Sequence, residues 1–377
     1  MADKDEPPAR RTDQPPAKPQ RRRLLQTGLA AAVAVAASGR RTSAADASLP
    51  PNVPDWSRAQ GDPVLNHPYG LPSPYEKNVV RRSVPWLTAT DTTAVSFTPL
   101  QDLYGVITPN GLAFERYHAG APNIDPAQHR LMIHGMVERP LLLTVAEVMR
   151  FPSVTRTAFI ECAANGSTEW RGAQMPGVQF THGMLNCSEW TGVPLATLLN
   201  EAGAMSGANW ILAEGADAAA LSRSVPLDKA LDDALVVYAQ NGEHLRPEQG
   251  YPLRLLLPGW EGNINVKWLR RLKLGDQPWN GREETARYTD LMPDGRARQF
   301  TWVMEAKSVI TFPCPERSLA EMGRYEISGL AWSGRGKITR VDVSVDGGSN
   351  WQPAGLQAPL QSKCLTRFRK PWHWDGG

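Results

Sequence analysis

The stretch at residues 155–171, TRTAFIECAANGSTEWR, constrains the fold more than any other. Ala158 and Ile160 alternate with Phe159 and Glu161, the period-two pattern of a strand whose two faces differ. The pattern stops at Cys162, where Ala163, Ala164, Asn165 and Gly166 suit only a tight loop of small residues. A thiol at the point where a rigid strand becomes a tight loop is held firmly and still reaches a cavity. Thiolates are soft metal donors, so Cys162 reads as a metal ligand.

The N-terminus limits the setting. Residues 1–20 are rich in Pro and charge and read as disordered. Arg21-Arg22-Arg23-Leu24-Leu25, a weakly apolar run at 28–37 and the small residues 43–47 follow the order of an export signal cleaved after Ala47. The Arg-Arg-x-Leu-Leu pattern resembles the twin-arginine signal, which exports folded proteins, and places the mature protein in the periplasm. The whole chain has a formal charge of +3; removing the leader's 9 Lys/Arg and 5 Asp/Glu from 41 and 38 leaves 32 basic and 33 acidic residues. A mature chain this close to neutral carries no sign of nucleic-acid or anionic-membrane binding. No stretch is long and apolar enough for a transmembrane helix.

The rest of the chain divides by texture. Residues 48–97 are rich in Pro and Asn and read as an extended arm. In 98–295, strands are expected at 130–137, 210–213, 235–239 and 251–257, with a tight turn at Asn241-Gly242 and a strand running to Leu274. Thr144-Val-Ala-Glu147 is a capping box opening a short helix ended by Pro152. Pro194 to Gly203 is a second helix with Leu195, Leu198, Leu199 and Ala202 on one face. Ser224-Val-Pro226 is expected to start a third. Residues 275–300 are turn-rich and polar, a lid or connector. Residues 296–377 carry alternating short strands, expected at 324–330, 338–345 and 365–374, the pattern of an antiparallel sandwich. The strand-rich stretch from about Thr301, about 75 residues, is short for a sandwich of ~100, so this domain is expected to be shortened at the C-terminus.

Four cysteines occur, at 162, 187, 314 and 364. No C-x-x-C or C-x-x-C-H is present, so structural zinc and covalently attached haem are unsupported. Cys187 reads as a small buried hydrophobe. Whether Cys314 and Cys364 pair is open at the level of sequence.

Five further motifs surround the thiol in order. They are F-x-R-Y-H at 114–118, E-C-A-A-N at 161–165, E-G-A-D at 214–217, Y-P-L-R at 251–254 and N-V-K-W at 265–268. Together they resemble the sulfite oxidase family of molybdopterin enzymes over most of 98–377. Details such as TRTAFIECAANGSTEWRGAQ and REETARYTDLMPDGRARQF look most like its SoxC-type sulfane dehydrogenase group. The resemblance implies an α+β fold, with a mixed α/β molybdopterin domain (98–295) followed by an immunoglobulin-like dimerisation domain (296–377).

It also implies one molybdenum with one molybdopterin, no haem in this chain, and Cys162 as the protein's metal ligand. Arg116 then stands beside the metal, where a permanently charged fork suits a sulfur oxyanion. Phe114, Tyr117 and His118 belong to the same cofactor-contacting motif. Arg254 and Lys267 flank Gly/Asn loops and are expected at the pterin phosphate. Asp217 is expected to accept hydrogen bonds from the pterin, and Asn265 and Val266 to supply loop contacts.

This chain departs from the family at three places. Gly166 and Ser167 stand where a second arginine is expected, with Arg171 as a candidate substitute. Gln249 replaces a histidine. The active-site tyrosine falls near Asn280, with Trp279 and Tyr288 close by, so that role is unassigned. A pocket with fewer cations suits thiol-conjugated or protein-bound sulfane sulfur better than a free oxyanion. The expected activity is therefore oxidation of reduced sulfur by oxo transfer at molybdenum. Electrons leave singly to a c-type cytochrome subunit, in a homodimer or heterotetramer. A periplasmic molybdenum reductase of sulfoxides and a metal-free binding scaffold are the competing readings.

Overall fold

The computed structural model describes residues 70–88, 90–172 and 176–376, together with Pro54 and Ser57. The leader expected at 1–47 lies outside them. By its contacts the chain divides into Met1–Leu71 and Pro72–Gly377, and every element below belongs to the second unit.

Its strands begin with β1 (Arg82–Ser83), β2 (Ala94–Phe97), β3 (Arg116–Tyr117), β4 (Arg130–Gly135), β5 (Leu141–Thr144) and β6 (Val154–Glu161). Next come β7 (Leu185–Pro194), β8 (Trp210–Gly215), β9 (Ser222–Pro226), β10 (Leu235–Gln240), β11 (Glu243–His244), β12 (Arg254–Leu256) and β13 (Leu269–Gly275). A hairpin of β14 (Asp290–Leu291) and β15 (Ala297–Arg298) leads to the C-terminal strands. These are β16 (Lys307–Phe312), β17 (Gly323–Trp332), β18 (Asp342–Val343), β19 (Gln352–Pro353), β20 (Gly355–Leu356) and β21 (Thr366–Trp374).

Two five-stranded sheets hold the cofactor-type domain. One has the order β11-β10-β7-β6, with β12 also pairing β10, all antiparallel. The other runs β5-β4-β13-β8-β9 and is mixed, because β4 and β13 are parallel. Leu131, Ile133 and Leu272 of the second sheet share a buried core with Val193, Val236 and Leu255 of the first. Each such side chain contributes about 1.5–3 kcal/mol of burial energy. The helix Leu195–Ala202 closes that core with the expected face, Leu195, Leu198, Leu199 and Ala202. Pro194 is its N-cap, and Gly203 stops it in the left-handed region at φ 69°.

The C-terminal strands form an antiparallel sheet, β16-β17-β21-β20, and a hairpin of β18 and β19. Val343 of the hairpin packs with Ile327 and Phe368 of the sheet, the two-layer burial of a sandwich.

Strand β6 lies between the two domains. Its register with β7 pairs Phe159 with Cys187 and Glu161 with Leu185. Ala158 and Ile160 pack with Phe114 and Trp190 on one side, while Phe159 packs with Leu330 and Trp332 on the other. Because β6 is the last strand of its sheet, its free edge needs partners. The C-terminal domain supplies them: Phe159 N donates to Lys363 O at 3.1 Å, and the Cys364 thiol donates to Thr157 O at 2.8 Å.

Several local expectations change. Ser224-Val-Pro226 lies within β9, paired in register with β8, and the helix begins only at Leu227. The strand expected at 251–257 is confined to Arg254–Leu256, and that at 338–345 to Asp342–Val343. All four cysteines are free thiols. Cys314 and Cys364 are not joined; the Cys364 thiol donates to Thr157 O (2.8 Å) and to Gln361 Oε1 (3.4 Å) and packs in the same buried cluster as Cys187.

Candidate cofactor site

The Cys162 loop is built from its own backbone. Asn165 N donates to Cys162 O at 2.9 Å, and Cys162 N donates to Met184 O at 3.0 Å. Gly166 then adopts φ 81°, a conformation glycine reaches without strain. Gly262 lies flat against the loop, and a Cβ there would stand 2.8 Å from Glu161 O. A larger residue at 262 would push the thiol out of place.

Cys162 opens onto a cavity lined by residues from several elements, with apolar walls and a few convergent polar groups, the character of small-molecule and cofactor sites. All ten residues singled out above as cofactor contacts line it: Phe114, Arg116, Tyr117, His118, Cys162, Asp217, Arg254, Asn265, Val266 and Lys267. They converge from both five-stranded sheets and from a separate three-stranded sheet, β1-β2-β3. β3 presents Arg116 and Tyr117, the end of β6 presents Cys162, and β12 presents Arg254. Asp217 follows β8, and Lys267 precedes β13.

The far wall is cationic and short of partners. Arg254 is 5% exposed, donates through Nη1 to the backbone and side-chain oxygens of Gln249 (3.1 and 3.2 Å), and leaves Nε without a hydrogen bond. Burial pulls its pKa down to about 9. Lys267 donates to Arg116 O (3.1 Å) and Glu248 O (2.9 Å) and sits over the rings of Tyr117 and Trp268. Burial first, then the neighbouring Arg254 charge, pulls it down to about 7. Among the described residues no carboxylate forms an ion pair with Arg116, Arg254 or Lys267. Buried cations without a counter-charge are costly, and an anion in the cavity would relieve them.

Other positions are more constrained than the sequence indicated. Asp217 Oδ1 accepts from Leu221 N at 3.3 Å, so part of its carboxylate caps a turn. Gly215 lets that turn close, since a Cβ there would lie 2.7 Å from Lys267 O. Asn265 uses its side chain on Leu257 N (2.6 Å) and Glu261 O (2.8 Å), and so pins the loop that carries Val266 and Lys267. His118 is held below the usual histidine range by burial and by Arg116. The Cys162 thiol is pushed up by burial, with opposing pulls from the Ala164 backbone and Arg116. A metal would have to displace its proton.

Of Trp279, Asn280 and Tyr288, Tyr288 is the one that faces the cavity. It lines the cavity, lies over the Arg223 guanidinium at 4.7 Å, and is pushed up to about 12 by burial and then by Cys162. Trp279 is engaged instead with Ser224, to which its N donates at 2.9 Å, and neither it nor Asn280 lines the cavity. Ile160, Asn186, Leu221, Gln249, Asn263 and Trp268 complete the lining. The Arg171 side chain lies outside the described residues.

The donor set defines what the cavity accepts. Among the described residues no three His, Cys, Asp or Glu side chains gather as a metal site. A metal at Cys162 must therefore bring most of its ligands with it. A metal carried on an anionic organic group meets both needs: one protein thiolate at one end, unpaired cations at the other. Among the described residues no helix is long and apolar enough to cross a membrane.

Comparison with known proteins places this cavity. The family model described as "Oxidoreductase molybdopterin binding domain" matches residues 118–283. The model described as "Mo-co oxidoreductase dimerisation domain" matches residues 298–374. Mouse mitochondrial sulfite oxidase is 32% identical over 289 residues, covering 72% of this chain and 52% of that protein. The NADH nitrate reductase of Ulva prolifera is 31% identical over 301 residues, covering 72% of this chain and 34% of that protein. The chain thus spans between a third and about half of the length of these curated relatives. The crystal structure of the sulfane dehydrogenase SoxCD from Paracoccus pantotrophus is similar with a TM-score of 0.84 and 52% identity, over 86% of this chain and 84% of that one.

Proposed function

The chain is a SoxC-type member of the sulfite oxidase family of molybdopterin oxidoreductases, and from that premise we propose that it oxidises reduced sulfur, as sulfane sulfur or sulfite. The observation that carries this reading is the cavity that the Cys162 thiol shares with Arg254 and Lys267, buried cations that form no ion pair among the described residues. These residues fit the cofactor. Cys162 would ligate the metal; Arg254 and Lys267 would meet the phosphate; Asp217 and His118 would face the pterin. Bound there, molybdenum supplies two-electron redox chemistry and oxygen transfer. Arg116, fixed by its bonds to Ala94 O (3.3 Å) and Tyr117 O (3.0 Å), would hold the anionic sulfur. Tyr288, kept protonated by its surroundings, would donate a hydrogen bond beside the thiol.

The chain carries no haem motif, so electrons would pass one at a time to a separate c-type cytochrome. The relative whose title names SoxCD supports a two-subunit arrangement, and the dimerisation-domain match supports a dimer. The twin-arginine leader supports periplasmic export of the folded, loaded protein. The test is direct: express the full chain in a molybdopterin-competent host, measure molybdenum, and assay cytochrome c reduction with sulfite and with thiosulfate-derived sulfane. Bound molybdenum with sulfur-dependent reduction is expected. Protein without metal, or turnover of sulfoxides alone, would overturn the proposal.

A further inference from the structure

The side chain beside the thiol does not face the cavity. Glu161 is fully buried, on the opposite face of β6 from Ile160. Its carboxylate accepts three hydrogen bonds. Lys307 Nζ donates to Oε1 at 2.9 Å, Asn165 Nδ2 to Oε1 at 3.0 Å, and Trp332 Nε1 to Oε2 at 2.7 Å. Lys307 lies on β16 and Trp332 on β17, both in the C-terminal domain. Asn165 passes the constraint on: its Oδ1 accepts from Met184 N at 3.0 Å, and Met184 O accepts from Cys162 N at 3.0 Å. The loop is thus tied at both ends to a carboxylate held by the other domain.

We propose that Lys307 and Trp332 are positioning residues through which the C-terminal domain fixes the Cys162 thiol, acting by way of Glu161 and Asn165. A metal ligand must be held to within about 0.5 Å to bind productively. A loop of Ala, Ala, Asn and Gly has little side-chain packing of its own to achieve that. A buried carboxylate with three donors supplies a rigid anchor, because losing one donor leaves a buried acceptor unpaired. The C-terminal domain also occupies the free edge of β6 through Lys363 O and the Cys364 thiol, so the whole strand leading to the thiol is held from that side. The domain is thereby part of the cofactor site as well as a candidate dimer surface.

The inference rests on Cys162 being the ligand, and its test has a readout independent of turnover. Full-length protein is prepared metal-free from a molybdopterin-deficient host, and loaded from a competent one. Iodoacetamide modification of Cys162 is followed by peptide mass mapping in the metal-free protein. In the loaded protein the thiolate-to-metal charge-transfer band is recorded. Lys307→Met is expected to raise the Cys162 modification rate about tenfold and shift or broaden the band, the second-shell scale of effect. Lys307→Arg is expected to return both to within about twofold of wild type. Should Lys307→Met not fold, Trp332→Phe, which removes one donor and keeps the ring, takes the same measurements. Wild-type modification rates and bands in the folded variants would overturn the proposal. Wild-type protein lacking molybdenum would defeat the functional reading instead, while the modification rates still decide this one.

Discussion

The two ends of the cavity are built on opposite principles. At the thiol end the groups that hold the Cys162 loop bond to one another: Asn165 bonds Glu161 and Met184, and Glu161 bonds Lys307 and Trp332. At the cation end, Arg254 Nε has no hydrogen bond and Lys267 bonds only to carbonyl oxygens. One end is finished by the protein; the other is finished by whatever binds. Among the described residues no carboxylate closes an ion pair with Arg254 or Lys267, and Glu115, Asp217 and Glu248 act on Lys267 without one, so positive charge is left over for an anion.

The largest effect expected at either end is that of Cys162→Ser. Changes to the groups that orient a metal ligand typically cost ~10–100-fold in affinity or activity, and loss of the proposed donor itself is expected to exceed that. Molybdenum per chain and sulfur-dependent cytochrome reduction should both fall by more than about a hundredfold, with the melting temperature of metal-free protein nearly unchanged. Retained metal would mean that the thiol end is not the ligand end.

The cation end should respond in the opposite sense. Arg254→Met and Lys267→Met remove buried charges that close no ion pair among the described residues and whose burial outweighs their stabilisation, so the metal-free protein is expected to melt at a higher temperature than wild type. Each should lose the cofactor about 10–100-fold faster on dialysis. A variant that is less stable when empty would show that Arg254 is held by the fold rather than by the ligand.

The pH dependence follows from the same asymmetry. Lys267 titrates at about 7 in the empty folded protein, well below its ordinary value of 10.5. Between those values the unfolded chain binds more protons, so the stability of empty protein should rise with pH. Below about 7 the full penalty of charging Lys267 is present. Loaded protein should lose this rise, because the anion keeps the lysine charged. Cofactor retention should accordingly weaken above pH 7. Melting curves from pH 7 to 8.5 for both forms measure it, and this window avoids the depressed histidines, His118, His129, His134 and His182. Parallel curves would remove the contrast.

Sequence carried much of this because local rules decided it. The alternation ending at Cys162, the Pro194–Gly203 helix and the Asn241-Gly242 turn each act over a few residues. Asn241 and Gly242 sit at φ 49° and 79°, as a tight two-residue hairpin requires. The misses are long-range. Ser224-Val-Pro226 reads like a helix start, but pairing of Ser224 with Leu212 places it in a strand. Tyr288 could not be chosen over Asn280 without the geometry of the connector. Lys307 reaches Glu161 across 146 residues, and no periodicity reports such a contact. Cys364 meets Cys187 rather than Cys314 for the same reason.

The smallest predicted effect sharpens the comparison from within the thiol end. Cys187 lies two residues' width from the ligand strand's tip, opposite Phe159 on β7, and is fully buried. It lies a few residues from the Cys162 loop in the β6–β7 register, yet among Phe159, Leu185 and Leu330 rather than in the cavity lining. The neighbouring Cys364 thiol, and then burial, push its pKa well up, so it stays a neutral packing group. Cys187→Ala should therefore behave as a small core truncation, costing about 1 kcal/mol, with molybdenum content and turnover at wild-type levels. Equal loss of metal from Cys187→Ala and Cys162→Ser would place the function of the thiol end in its packing. Separation of the two variants would place it in a single sulfur, held where the strand ends.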